Sequence, residues 1–198
     1  MLKFPLKPAR GFTLVEMVIG ISILSILIAM AVPSFSLWIR NMGIRAAAES
    51  LLSGLQLARS EALKRNTVMR FQLMDTLDGG CAPTASGPHW VISRDDAEGK
   101  CDAAPSETAA PRIVQFYDGR VHGKQTLIDA GANLFTFNGL GRLTSPAANI
   151  LVSGIKGKDE CASEGKDDRC LRIEATAGGS IRLCDPALPA TDPQGCAS

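Results

Sequence analysis

One carboxylate stands alone in an apolar run. From Phe12 to Val32 the chain has 21 residues, and Glu16 is the only charged one among them. A hydrocarbon core about 30 Å thick is crossed by roughly 20 helical residues at about 1.5 Å each, so the run has membrane-spanning length. A carboxylate inside such a helix costs roughly 2.5–3.5 kcal/mol, and residues of this kind face a partner and carry function. The chemistry it offers is charge pairing with a cation or an amine. A second chemical position lies just before it. Gly11 is the one obvious processing point, and it precedes the apolar segment, whereas a secretory signal is cut after its apolar segment. Cutting between Gly11 and Phe12 keeps the helix and removes only a leader carrying Lys3, Lys7 and Arg10. Those basic residues would hold that end on the cytoplasmic side and place the rest of the chain outside.

The short basic leader followed by Gly11-Phe12-Thr13-Leu14-Val15-Glu16 resembles the prepilin peptidase signal of type IV pilins and type II secretion pseudopilins. The resemblance implies cleavage after Gly11, methylation of the new amino terminus at Phe12, and neutralisation by Glu16, the fifth mature residue, of the terminal amine of a neighbouring subunit during filament assembly. The physics agrees that a buried charge needs such a partner. Pro33 falls where many pilins carry a helix-kinking proline.

Downstream of Pro33 an amphipathic helix is expected, with Ile44, Ala48, Leu51, Leu55, Ala58 and Ala62 recurring at steps of three and four. Arg45, Glu49, Ser53, Gln56, Ser60 and Lys64 take another face, Glu61 and Arg65 form an i,i+4 pair, and the helix ends near Asn66. Pro33 and Gly43 are weak points in it, because proline removes a helical hydrogen bond and glycine costs about 1 kcal/mol against alanine. The segment 56–66, Gln-Leu-Ala-Arg-Ser-Glu-Ala-Leu-Lys-Arg-Asn, is similar to the helix end of the GspH/FimT branch of the pilin family.

Beyond Asn66 the texture changes to short strand-like runs punctuated by Gly, Pro and Asp. The expected strands are 67–74, 89–93, 112–117, 125–128, 134–138, 149–153, 170–175 and 180–184. Alternation such as Leu171 and Ile173 against Arg172 and Glu174 suits sheets with one wet face. Loops 78–88 and 95–111 are rich in Gly, Pro, Ala and Ser. The expected organisation is a leader (1–11), a transmembrane and filament-core helix (12–33), an amphipathic continuation (34–66) and an exported, disulfide-bearing β domain (67–198). The expected fold class is α+β, one long N-terminal helix against a mostly antiparallel β domain, and the resemblance implies that this is the type IV pilin fold.

All six cysteines, Cys81, Cys101, Cys161, Cys170, Cys184 and Cys196, lie downstream of the apolar run, and an even count in an exported segment reads as disulfides. Locality favours Cys81 with Cys101, Cys161 with Cys170, and Cys184 with Cys196; sequence alone does not fix that choice. No cysteine pair has the two-residue spacing of a zinc knuckle and His89 and His122 are far apart, so no metal site and no cofactor are expected.

The chain has 21 basic and 20 acidic residues; without the leader the balance is 18 against 20, which excludes a strongly basic body. No Gly-x-Ser-x-Gly elbow, phosphate loop or His-Glu-x-x-His is present, His89 and His122 read as structural or surface residues, and an enzyme is not expected. Arg120, Arg142, Arg172 and Arg182 sit in turn-like or strand-end settings, where guanidinium and backbone N–H groups reach phosphate; equally, they read as solvated strand ends. FimT-like members of the family bind DNA through a C-terminal Gly-Arg-x-Arg hairpin. The corresponding stretch here is Gly179-Ser180-Ile181-Arg182, so Arg182 matches and Ser180 stands in place of the first arginine. That departure puts a FimU- or GspH-like role first: a minor pilin, held in the inner membrane and then built into a pilus at its tip, that primes or caps assembly with other minor pilins and the major pilin after processing by the prepilin peptidase. The alternatives are a DNA-binding minor pilin for uptake and a type II secretion pseudopilin. The proline-stiffened stretch between Cys184 and Cys196 serves as a contact surface or protects the chain end.

Overall fold

The computed structural model describes residues 11–122, 126–145, 147–154, 161 and 169–196, with the side chains of 31–34, 121 and 122 left aside. Residues 1–10 of the leader, the side chains of Pro33 and His122, Gln125 and residues 162–168 lie outside the described residues. The chain divides into two compact units after Trp38, and the helix α1 (Leu14–Arg65) contributes to both. In the first unit every described side chain from Gly11 to Met30 is exposed.

In the second unit α1 buries Ile44, Ala47, Ala48, Leu51, Leu55, Ala58 and Ala62, a stripe at steps of one, three and four. The small residues on this stripe let the helix lie close to its sheet: a Cβ on Gly54 would stand 2.7 Å from Phe71 Cε2 and 3.0 Å from Trp90. The helix ends in a Schellman motif. Asn66 takes the left-handed conformation (φ 45°), its N–H donates to Leu63 O at 3.2 Å, and Thr67 N–H donates to Ala62 O at 3.2 Å. Lys64 and Arg65 in the last turn complement the negative end of the helix dipole, and Arg65 Nε lies 2.5 Å from Glu61 Oε2.

Eight strands follow: β1 (Met69–Met74), β2 (His89–Ser93), β3 (Ile113–Tyr117), β4 (Thr126–Ala130), β5 (Leu134–Phe137), β6 (Ala148–Gly154), β7 (Leu171–Ala175) and β8 (Ile181–Cys184), with a short 3₁₀ turn at Gly119–His122. They form two four-stranded antiparallel sheets, ordered β3-β2-β1-β5 and β4-β6-β7-β8. The fold class is therefore α+β, as the sequence leads one to expect. Phe71, Trp90, Ile92, Phe135 and Phe137 of the first sheet and Ile150, Val152 and Ile173 of the second enclose the helix stripe in one core. Phe71 lies 5.4 Å from Trp90 and 6.3 Å from Phe135, ring centre to ring centre, and Trp90 Nε1–H donates to Ser50 Oγ at 3.1 Å. The two sheets differ on their outer faces. Loops 78–88 and 95–111 fold over the first, where Met74, Cys81, Val91, Ala97, Cys101 and Ile113 form a second, smaller core; β2 is thus buried on both faces along its whole length. The outer face of the second sheet carries Leu151, Arg172, Glu174 and Arg182 and is half-open to water. Disulfides join Cys81 to Cys101, Cys161 to Cys170 and Cys184 to Cys196.

Candidate assembly segment and basic hairpin

The amino-terminal end of α1 is built around Thr13 and Glu16. Thr13 O accepts the first helical hydrogen bond, from Met17 N–H at 3.2 Å. Glu16 N–H donates to Thr13 Oγ1 at 3.3 Å, while Glu16 Oε2 accepts from Thr13 N–H and from Thr13 Oγ1–H, each at 3.1 Å. This is a capping box: N-cap and third helical residue satisfy each other's open backbone donors. It also sets the carboxylate at the positive end of the helix dipole. Glu16 thus has a partner within its own chain, turned back toward Phe12, whose side chain is 85% exposed. The sequence signal for this was the Thr-x-x-Glu pattern ahead of the apolar run; reading Glu16 only as an unpaired charge overlooks it.

The four arginines fall into two kinds. Arg182 donates from Nε and from a terminal guanidinium nitrogen to Glu174 Oε2, at 2.9 and 2.7 Å, because the β7–β8 register sets Glu174 opposite Arg182. Arg120 is likewise occupied, donating to both carboxylate oxygens of Asp118 at 2.6–3.1 Å; this bond lowers Asp118 to about 2. Arg142 and Arg172 form no ion pair among the described residues. Arg142 is exposed and closes a turn in which Asn138 Oδ1 accepts from Leu140 N–H and Arg142 N–H, each at 3.0 Å. Arg172 is half-buried between Leu151 and Cys184 on the neighbouring strands.

The turn bearing Arg142 docks on the β7–β8 hairpin. Gly179, at φ 84°, passes so close that a Cβ there would lie 2.0 Å from Gly141 O, Leu143 N–H donates to Ala177 O at 3.2 Å, and Arg59 of α1 donates from Nε to Gly141 O at 3.1 Å. Arg142 and Arg59 are thereby brought beside the hairpin turn. Arg120 lines a cavity of about 460 Å³ with Ala47, Leu51, Pro88, Leu127 and Ile128. Arg59 escaped notice in the sequence because nothing in its helical context marks it; only the approach of a distant turn does.

Residues 47–179 match the family described as Type II transport protein GspH, and residues 6–32 match the prokaryotic N-terminal methylation motif. The chain belongs to the GspH family. It is a type IV pilin-like protein with a methylation motif at the head of its apolar helix. Two crystal forms of the type IV minor pilin FimU from Pseudomonas aeruginosa are similar to this GspH-family chain. One has 20% identity and a TM-score of 0.46 over 77% of this chain and 99% of that one; the other has 21% identity and the same TM-score over 78% and 95%. No curated protein matches.

Three other groupings stand out among the described residues of this GspH-family chain. His89 is buried, and its Nδ1 lies 3.2 Å from Asp118 Oδ1 without the alignment of a hydrogen bond. Burial pushes its pKa below the ordinary imidazole value, against the opposing pull of Asp118. Glu174, Cys184 and Cys196 approach within 4.8 Å of one another, but Cys184 and Cys196 are joined to each other and offer no thiolate to a metal. The 460 Å³ cavity has one charged lining residue among those described, Arg120, tied to Asp118.

Proposed function

We propose that this protein is a minor pilin subunit, made as a prepilin with its body on the periplasmic side of the inner membrane. Prepilin peptidase cuts it between Gly11 and Phe12 and methylates Phe12, and the subunit then joins other minor pilins and the major pilin to prime or cap a type IV pilus. The observation that carries the reading is the apolar segment 12–30, exposed on every side and lying within a match to the N-terminal methylation motif. Its described side chains are exposed throughout, so in this reading its burial falls first to lipid and then to neighbouring helices. In this scheme Glu16 neutralises the terminal amine of a neighbour, and Thr13 holds the carboxylate at the helix end until then. The test pairs two variants. Glu16→Gln keeps a side chain able to complete the capping box but removes the charge; Glu16→Ala removes both. Both should stay in the membrane fraction and both should be lost from sheared pili. Normal incorporation of Glu16→Gln would show that the charge plays no part in docking.

A second reading, a DNA-binding pilin for uptake, is supported by Arg142 and Arg59 beside the hairpin turn and by Arg172 without an ion pair among the described residues. Against it stand Ser180 in the hairpin and the neutralisation of Arg182 by Glu174. A gel shift with the chain at low salt separates the two: salt-sensitive binding weakened by Arg142→Ala supports uptake, and no binding leaves the assembly role alone. Scoring twitching, protein secretion and transformation in a deletion strain separates a pilus subunit from a secretion pseudopilin.

A further inference from the structure

The apolar segment does not end where its proline stands. The next charged residue after Glu16 is Arg40, so residues 17–39 are charge-free, and the run changes character near its end from aliphatic residues to Phe35 and Trp38. These two rings stack on each other, 5.7 Å between centres and 26° between planes, yet Phe35 is 60% and Trp38 57% exposed. Spaced three apart on one helix face, they form an aromatic patch that is more than half exposed. Aromatic rings with an apolar body and a polar edge collect at the headgroup level of bilayers. The length agrees. The 27 residues from Phe12 to Trp38 span about 40 Å as a helix, which is the thickness of a bilayer with its interfacial layers, about 40–45 Å, whereas a segment stopping at Val32 spans only the hydrocarbon core of about 30 Å.

We propose that Phe35 and Trp38 seat in the headgroup layer of a phospholipid bilayer, so that the membrane-embedded segment runs to Trp38 and Pro33 lies within it. The proposal rests on the membrane stage of the function above. The test uses the full chain reconstituted in phosphatidylcholine vesicles whose acyl chains are brominated either near the headgroup or near the bilayer centre. Trp38 and Trp90 are the only tryptophans, and Trp90 is buried in the body, so the difference between wild type and Trp38→Phe isolates Trp38; the exposed position tolerates that change. The Trp38 emission should be blue-shifted and should lose more intensity to the shallow bromines than to the deep ones. Vesicle flotation without any bromine quenching of Trp38, or stronger loss to the deep bromines, overturns the placement while leaving membrane insertion standing. Failure of the chain to float overturns both.

Discussion

One helix serves two different solvents. Along residues 44–62 of α1 the apolar side chains form a stripe, and that stripe is fully covered: Leu55 is 0% exposed. Along residues 14–30 they occupy every face, and Ile21 is 61% exposed. Both halves belong to one continuous helix, so helix formation itself does not explain the contrast. The difference is where the partner comes from. The distal half finds Phe71, Trp90, Ile150 and Ile173 inside its own body, while the described side chains of the proximal half are exposed and, in the proposed function, are covered by lipid or other helices. A stripe reports an internal partner, and an all-round apolar surface reports an external one.

Substitutions should respect that division. The largest effect is expected in the covered half: Leu55→Ala removes a fully buried side chain and should lower the body's stability by about 2–5 kcal/mol, read from urea unfolding. Ile21→Ala should leave the same transition unmoved; a matching loss there would erase the contrast. Opening Cys81–Cys101 by a double serine change releases the covering loops of the first sheet, a cross-link over a sequence separation of 20. In the chain-entropy account this costs about 3 kcal/mol, again by denaturant titration, and the variant should admit protease within residues 78–111.

Smaller effects sharpen the picture at each end. At the exposed end, Thr13→Ala breaks the capping box and should weaken the first helical turn by about 1 kcal/mol, seen as faster amide exchange of Glu16 in detergent micelles with no change in the body. Within the body, His89 supplies a pH dependence. Its pKa is lowered by burial, so the unfolded chain binds the proton more readily; the contribution is whole above the ordinary value of about 6.5 and is lost as pH falls below it. The carboxylates whose pKa values are lowered by their partners, Asp118 and Asp95 among them, act the same way only in more acid solution, below their ordinary values. Stability should therefore decline as pH falls below about 6.5, and His89→Gln should flatten that limb.

Much of this architecture was legible beforehand, and for physical reasons. Each expected strand has an observed counterpart, within one or two residues at most ends, because alternation and Gly, Pro or Asp punctuation are local properties. The helix stripe was equally plain from its period. What could not be read was pairing at a distance: β1 joins β5 and β4 joins β6, and nothing in those segments names their neighbours. The division into two sheets and the cover over the first follow from that pairing. So does the fate of Arg182, whose partner Glu174 lies eight residues away and meets it only through the hairpin register. A turn at Gly119-Arg120 was legible, but its 3₁₀ form at Gly119–His122 was not, because a four-residue turn leaves no periodicity. The Thr13–Glu16 box was visible in the spacing but masked by the more conspicuous oddity of a carboxylate in an apolar helix.

That carboxylate and the processing point before it hold the account together, since the exposed helix has its stated purpose only if the leader is removed. The direct measurement is intact-protein and peptide mass spectrometry of the chain isolated from its native host. The account predicts a mature protein that begins at Phe12 and carries one added methyl group on its terminal nitrogen. A chain that still begins at Met1 would contradict it.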